Sequence, residues 1–182
     1  MAKKATIGEW LGFFGSYIGS AISIAFAYIN TMIQLKKTNE KEIIDDLHNL
    51  LRTAQIISRY LDSLRATMLD DKTMDQATSQ QFAQKIFNVE IQINNFSLDY
   101  TTLINKLKKN EYENIEPKFN TWFDDGYIIF SIMNTTPNGL LDKTFLKKSN
   151  WIEKINNLIK STEELEFSIA KVCDKREEIY QK

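Results

Sequence analysis

The pattern of apolar and polar positions divides the chain into a short membrane-type segment and a longer part with heptad spacing. Residues 10–35 contain no charged side chain, and residues 10–29 are all apolar or small. At about 1.5 Å of rise per residue, a helix of this length exceeds the roughly 30 Å hydrocarbon core of a bilayer. The sequence therefore predicts an N-terminal membrane anchor over residues 1–35 and a helical domain over residues 36–182.

The residues at the two ends of the apolar run are those that anchor a helix at a membrane surface. Trp10 and Tyr28 lie where interfacial aromatic rings are favoured, and Lys36 and Lys37 follow directly. More Lys and Arg residues follow the span than precede it, so the positive-inside rule favours a cytoplasmic C-terminal domain. The predicted location is a cell membrane that the chain crosses once, with the helical domain in the cytoplasm.

A cleaved signal peptide is the rival interpretation of this segment. Lys3 and Lys4 could form its basic start, and Ala25-Phe26-Ala27 resembles an A-x-A cleavage site. The apolar run is longer than the roughly 7–15 residues of a signal-peptide core, and it continues to Leu35. We therefore expect an uncleaved anchor.

Small residues mark one face of the predicted anchor. Four of the six glycines are spaced by 4, 3 and 4 residues, which places them together on a helix. Such a face lets two membrane helices approach closely, although glycine is also common in membrane helices generally. The candidate packing residues are Gly8, Gly12, Gly15 and Gly19.

Three series of mostly apolar residues with alternating 4 and 3 spacing organise the remaining chain. The spacing predicts helices that bury one face in left-handed packing. The first series is Ile43, Leu47, Leu50, Ala54, Ile57, Leu61, Leu64 and Met68. The second is Phe82, Ile86, Val89, Ile93, Phe96, Tyr100, Leu103 and Leu107. The third has two polar interruptions and comprises Trp151, Ile155, Leu158, Thr162, Leu165, Ile169, Val172, Arg176 and Ile179.

These series predict an all-α protein whose membrane helix continues into an antiparallel bundle with coiled-coil-like packing. No Gly or Pro interrupts the chain between Gly19 and Met68, so the anchor and the first heptad series form one helix. Three further helices are predicted near residues 75–109, 117–134 and 149–181, with the second of these closing one end of the bundle.

An aromatic stretch lies between the second and third series. Pro117 predicts a helix start, since Pro is favoured at the first helical position. The turn sequence at residues 136–139 ends this stretch, and Ser149 is the predicted N-cap of the last helix. We expect the aromatic side chains to fill the core. The alternative is a ligand pocket or a re-entrant membrane contact built on Trp122, Phe123 and Tyr127.

The chain offers few groups for chemistry. Its one histidine, His48, and its one cysteine, Cys173, each follow a heptad position. His48 is predicted to be a boundary or surface residue, and Cys173 a small core residue. No spaced metal-ligand series, phosphate loop or nucleophile elbow is present. With 23 basic and 24 acidic residues and no basic stripe, a nucleic-acid partner is not expected. We predict no catalytic residue, no metal and no cofactor.

The first 42 residues resemble a known group of proteins. The motif W-x4-G-S-x-x-G at Trp10, Gly15, Ser16 and Gly19, followed by an apolar helix and a charged segment, is similar to the N-terminus of small Gram-positive and phage-associated membrane proteins. The resemblance implies a membrane anchor with a helical cytoplasmic part and transfers no catalytic residue. Some members of this group occur in phage-defence or mobile-element settings, and most have no assigned function.

Two functions of different classes follow from these features. The first is a membrane-tethered, non-enzymatic interaction or regulatory protein, with the lipid bilayer and an unidentified protein as partners. The second is a holin-like or toxin-like effector that forms homo-oligomers through its glycine-rich helix and permeabilises the bilayer.

Overall fold

The computed structural model describes residues 7–69, 76–135 and 150–181, and within these ranges all regular structure is helical. The four helices are α1 (Ile7–Leu69), α2 (Gln76–Ile104), α3 (Lys109–Thr135) and α4 (Trp151–Tyr180). The prediction of an all-α chain is confirmed for the described residues. The expected continuation of the N-terminal apolar segment into the first heptad helix is also confirmed, because α1 is a single helix of 63 residues.

Two compact units divide the chain, residues 1–42 and residues 43–182. In the first unit, the described side chains from Trp10 to Asn39 are all exposed. The second unit contains the last part of α1 together with α2, α3 and α4, and it holds the hydrophobic core.

The heptad positions form this core, as the spacing predicts. Every position of the first two series is buried except the last of each, Met68 and Leu107, which are partly buried against the core. In the third series only Ile179 is exposed. The apolar faces of these helices are therefore buried against one another within the second unit. Such burial is the main source of helix stability in a globular domain.

The helix α3 differs from its prediction in where it starts and what it contacts. It begins at Lys109, and Pro117 lies inside it. The Glu111 side chain accepts a hydrogen bond from the Lys108 backbone N–H (2.8 Å), which is one half of a capping box and stabilises the earlier start. The predicted start at Pro117 is therefore wrong. Pro117 removes one intrahelical donor, while flanking residues such as Ile115 remain packed in the core.

Contacts between α3 and α4 extend along both helices rather than closing one end of the bundle. Gly126 on α3 approaches Leu158, and Trp122, fully buried, donates its indole N–H to the Thr162 hydroxyl (3.0 Å). Thr162, the first polar interruption of the third series, is therefore a buried acceptor. A core polar atom with a partner avoids the cost of an unpaired one.

The ends of the remaining helices differ slightly from expectation. Helix α2 ends at Ile104, five residues before the predicted end, because the Lys106 N–H bonds to the Leu103 carbonyl in a turn (2.8 Å). The N-cap of α4 is Asn150, in the left-handed region at φ 52°, rather than Ser149. The predicted turn at residues 136–139 lies outside the described residues.

Candidate functional site

The apolar part of α1 presents its large side chains to the surroundings. Between Trp10 and Leu35, the large apolar side chains are 50% to 70% exposed. Among the described residues, α1 is the one helix that is long and apolar enough to cross a membrane, by length and composition. The predicted interfacial residues Trp10, Tyr28, Lys36 and Lys37 are all exposed.

Three hydroxyl groups of this segment are satisfied by the helix itself. Ser20, Ser23 and Thr31 each donate a hydrogen bond to the backbone carbonyl four residues earlier, at 2.8 to 2.9 Å. A hydroxyl without such a bond is costly in a hydrocarbon environment. The polar atoms of these side chains are therefore compatible with burial among lipid tails.

The glycine face has open space beside it. A methyl group built on any of the four glycines meets no atom outside the helix backbone within 4 Å. Packing within this chain therefore does not require glycine at these positions. They are Gly8, Gly12, Gly15 and Gly19.

The three residues of the candidate pocket occupy different environments. Trp122 is buried in the core, Phe123 is 40% exposed and stacks on Phe119 (5.9 Å between ring centroids), and Tyr127 is 67% exposed. A shallow, open depression of about 390 Å³ lies elsewhere along α3 and α4, between Lys118 and Ser168. The ion pair of Lys118 with Glu164 (2.6 Å) crosses it, and the Lys118 hydrogen bond lowers the pKa of that carboxyl.

A second arrangement joins three side chains that can act as metal ligands. The His48 Nε2 lies 2.7 Å from Oε1 of Glu177 and 3.6 Å from Sγ of Cys173. The three ligand atoms lie within 4.8 Å of one another. Cys173 is 1% exposed, whereas the His48 side chain is 53% exposed, so the cluster lies at the border between core and solvent.

The heptad packing of α1 and α4 positions these groups. His48 follows the buried Leu47, and Cys173 follows the buried Val172, so each lies beside the seam of its helix. Glu177 lies four residues after Cys173 and therefore on the same face of α4. The exposed His48 and the buried Cys173 match their sequence predictions. Sequence reasoning missed their proximity, and the shared position beside two seams is the signal that could have indicated it.

The geometry does not suit a Cys–His–carboxylate catalytic triad. In such a triad the two ring nitrogens of the histidine have different partners, one facing the nucleophile and one the acid. Here the same nitrogen, Nε2 of His48, contacts both Cys173 and Glu177. Burial and the nearby Glu177 and Asp174 raise the pKa of the Cys173 thiol to about 11, which disfavours a free thiolate nucleophile.

Comparison with known proteins adds no assignment. No protein-family model, curated protein or solved structure matches the chain.

Proposed function

We propose that the protein is a membrane-tethered, non-enzymatic interaction or regulatory protein, with residues 10–35 crossing the bilayer once. The observation that carries this proposal is the contrast between the two parts of α1. Large apolar side chains of residues 10–35 are at least half exposed, whereas the heptad positions of residues 43–64 are buried. An apolar surface of that length fits a lipid environment.

The helical domain is proposed to be an antiparallel bundle with coiled-coil-like packing. Contacts of α1 with α2 and with the turn that follows α2 run in opposite chain order, from Thr67 with Lys85 to Asp46 with Lys106. This order and the alternating 4 and 3 spacing of the buried residues support the arrangement. The same reversed order relates three contacts between α3 and α4, namely Glu111–Arg176, Lys118–Glu164 and Trp122–Thr162.

A bacterial cell membrane with the bundle in the cytoplasm is the proposed setting. Lys36 and Lys37 immediately after the span support this orientation under the positive-inside rule. The resemblance of the anchor motif supports a bacterial origin and a role in phage defence or a mobile element. A protease added to spheroplasts, and separately to inverted vesicles, tests the orientation, since the bundle should be digested in inverted vesicles alone.

A permeabilising effector is the second candidate function, and the open glycine face favours it. Close packing of small residues drives membrane helices together where hydrophobic attraction between them is absent. Homo-oligomers formed through Gly15 and Gly19 could then open the bilayer.

Induced expression with a membrane-potential dye separates the two functions. The interaction protein leaves the potential unchanged, whereas the effector depolarises the cells, and Gly15→Leu or Gly19→Leu abolishes the depolarisation. Ile24→Leu, on the opposite face, is the matched control because it keeps the helix apolar.

A photoreactive residue at the exposed Phe167 should yield a crosslinked protein adduct if the bundle is the interaction surface.

A further inference from the structure

The cluster of His48, Cys173 and Glu177 combines three kinds of side chain that bind transition metals. A thiolate, an imidazole nitrogen and a carboxylate oxygen form a set of ligands that suits Zn²⁺. The same set does not suit hard cations, which prefer oxygen ligands alone. We propose that these three residues bind a Zn²⁺-class divalent ion. The site goes beyond the proposed tethering function and does not depend on it.

The distance between sulfur and nitrogen fits a tetrahedral ion. With a Zn–S bond of about 2.3 Å and a Zn–N bond of about 2.0 Å, a tetrahedral ion holds sulfur and nitrogen about 3.5 Å apart. The observed distance from Sγ of Cys173 to Nε2 of His48 is 3.6 Å. The corresponding N–O separation is about 3.3 Å, and Oε1 of Glu177 lies at 2.7 Å. The carboxylate must therefore move away by about 0.6 Å, and because the Glu177 side chain is 39% exposed, a rotamer change can supply that movement.

Cys173 and Glu177 both contact the same ring nitrogen of His48, and this arrangement suits metal coordination better than a hydrogen-bonded relay. Nε2 of His48 contacts both partners, so a metal ion at the centre of the three atoms replaces two contacts by three bonds. On binding, the Cys173 S–H bond breaks, the proton leaves to solvent, and the ring proton of His48 is held on Nδ1. Because the side chains of His48 and Glu177 are 53% and 39% exposed, water can occupy the fourth position of the ion.

The charges around the cluster favour a cation. Glu177 and Asp174 place negative charge beside the Cys173 sulfur. Of the two neighbouring cations on α4, Lys175 is exposed to solvent and Arg176 is paired with Glu111 through two hydrogen bonds. A bound ion would therefore join α1 to α4 without facing an uncompensated positive charge from this arginine.

Cobalt titration of the full chain in detergent micelles tests the site. Because the chain has one histidine and one cysteine, the signal has one source, provided that the affinity tag contains neither residue. We expect one Co²⁺ per chain, with a thiolate-to-cobalt charge-transfer band and visible bands of tetrahedral intensity. Zn²⁺ should abolish these bands by displacement and should raise the thermal midpoint.

Variants distinguish the site from ordinary packing. Cys173→Ser should remove the charge-transfer band, and His48→Gln or Glu177→Gln should weaken Co²⁺ binding by at least about tenfold. The exposed Glu178 supplies the control, since Glu178→Gln should bind like the wild type. His48→Gln alters an exposed side chain, and circular dichroism checks that it folds. A wild-type chain without the charge-transfer band, or unchanged binding in His48→Gln, would overturn the proposal.

Discussion

The buried ion pair between α3 and α4 gives the strongest stability prediction. Arg176 is 2% exposed and Glu111 is 5% exposed, and two hydrogen bonds of 3.0 and 2.5 Å join the guanidinium to the carboxylate. Glu111 also accepts the Lys108 backbone N–H, so it links the start of α3 to the last turns of α4. Removing one partner would leave the other charge in a site with little water.

The expected cost follows from that geometry. Arg176→Met keeps most of the buried alkyl volume while leaving the Glu111 carboxylate without its cation. Breaking a buried pair in this way costs about 3–5 kcal/mol, and each kcal/mol lowers the midpoint by about 2–4 °C for a chain of this size. The thermal midpoint should therefore fall by roughly 10 °C.

A double-mutant cycle separates the ion pair from general packing. Glu111→Gln retains an acceptor for the Lys108 N–H, because Gln also functions in a capping box. The double variant with Arg176→Met contains no buried unpaired charge, so it should be more stable than Arg176→Met alone, with a coupling energy of about 1–3 kcal/mol.

Thermal and urea unfolding of the full chain in micelles, followed by circular dichroism, measures all four proteins of the cycle. Two results would refute the reasoning: the effects of the two substitutions on the free energy of unfolding are additive, or Arg176→Met lowers that free energy by less than about 1 kcal/mol. Either result would show that the pair contributes no more than a surface ion pair.

Three further substitutions have predicted outcomes. Among the described residues, the buried Tyr100 hydroxyl has no hydrogen-bond partner, so Tyr100→Phe should raise the free energy of unfolding by about 1 kcal/mol, measured by urea titration. Burial raises the pKa of Glu166, whose carboxylate accepts a bond from Ser58. A carboxyl with a raised pKa stabilises the fold at acidic pH, and that stability is lost as pH rises. Glu166→Gln should therefore be more stable than the wild type at neutral pH, and the difference between their thermal midpoints should shrink in acid. A methyl group at Gly126 would lie 3.4 Å from Ile93, which is an ordinary van der Waals contact. Gly126→Ala should therefore raise the free energy of unfolding by about 0.5–1 kcal/mol through helix propensity, and a lowered thermal midpoint would contradict this.

Heptad spacing predicted most of the core because burial in a helical bundle repeats locally along each chain segment. The buried positions of the first two series, such as Leu61 and Ile93, follow from sequence alone. The polar interruptions at Thr162 and Arg176 were recognised as departures from the pattern, but their partners, Trp122 and Glu111, lie on a different helix. Spacing along one helix contains no information about such pairing.

The start of α3 was mispredicted because one local signal was given more weight than another. Pro117 indicates a helix start when it occupies the first turn, yet the capping interaction of Glu111 with Lys108 sets the start earlier. Tertiary contacts of Ile115 and Trp122, both in the core, then outweigh the hydrogen bond lost at the proline.

The cluster of His48, Cys173 and Glu177 could not be predicted from the sequence because its residues come from distant parts of the chain. His48 and Cys173 are separated by 125 positions, whereas the usual metal-ligand signals depend on short spacings. Only the packing of α1 on α4 brings them together. By contrast, the apolar exposed segment at residues 10–35 was recognisable directly, since a bilayer imposes a length and a composition on any helix that crosses it.

Alkaline carbonate extraction of cell membranes tests the central claim, that residues 10–35 span a bilayer, most directly. The wild-type chain should remain in the membrane pellet. A chain with Ile22→Asp and Ile24→Asp should be released, because each charge at the centre of a span costs about 2.5–3.5 kcal/mol. Leu98→Asp, at a 68% exposed position on α2, is the matched control and should stay in the pellet. Release of the wild-type chain would contradict the account.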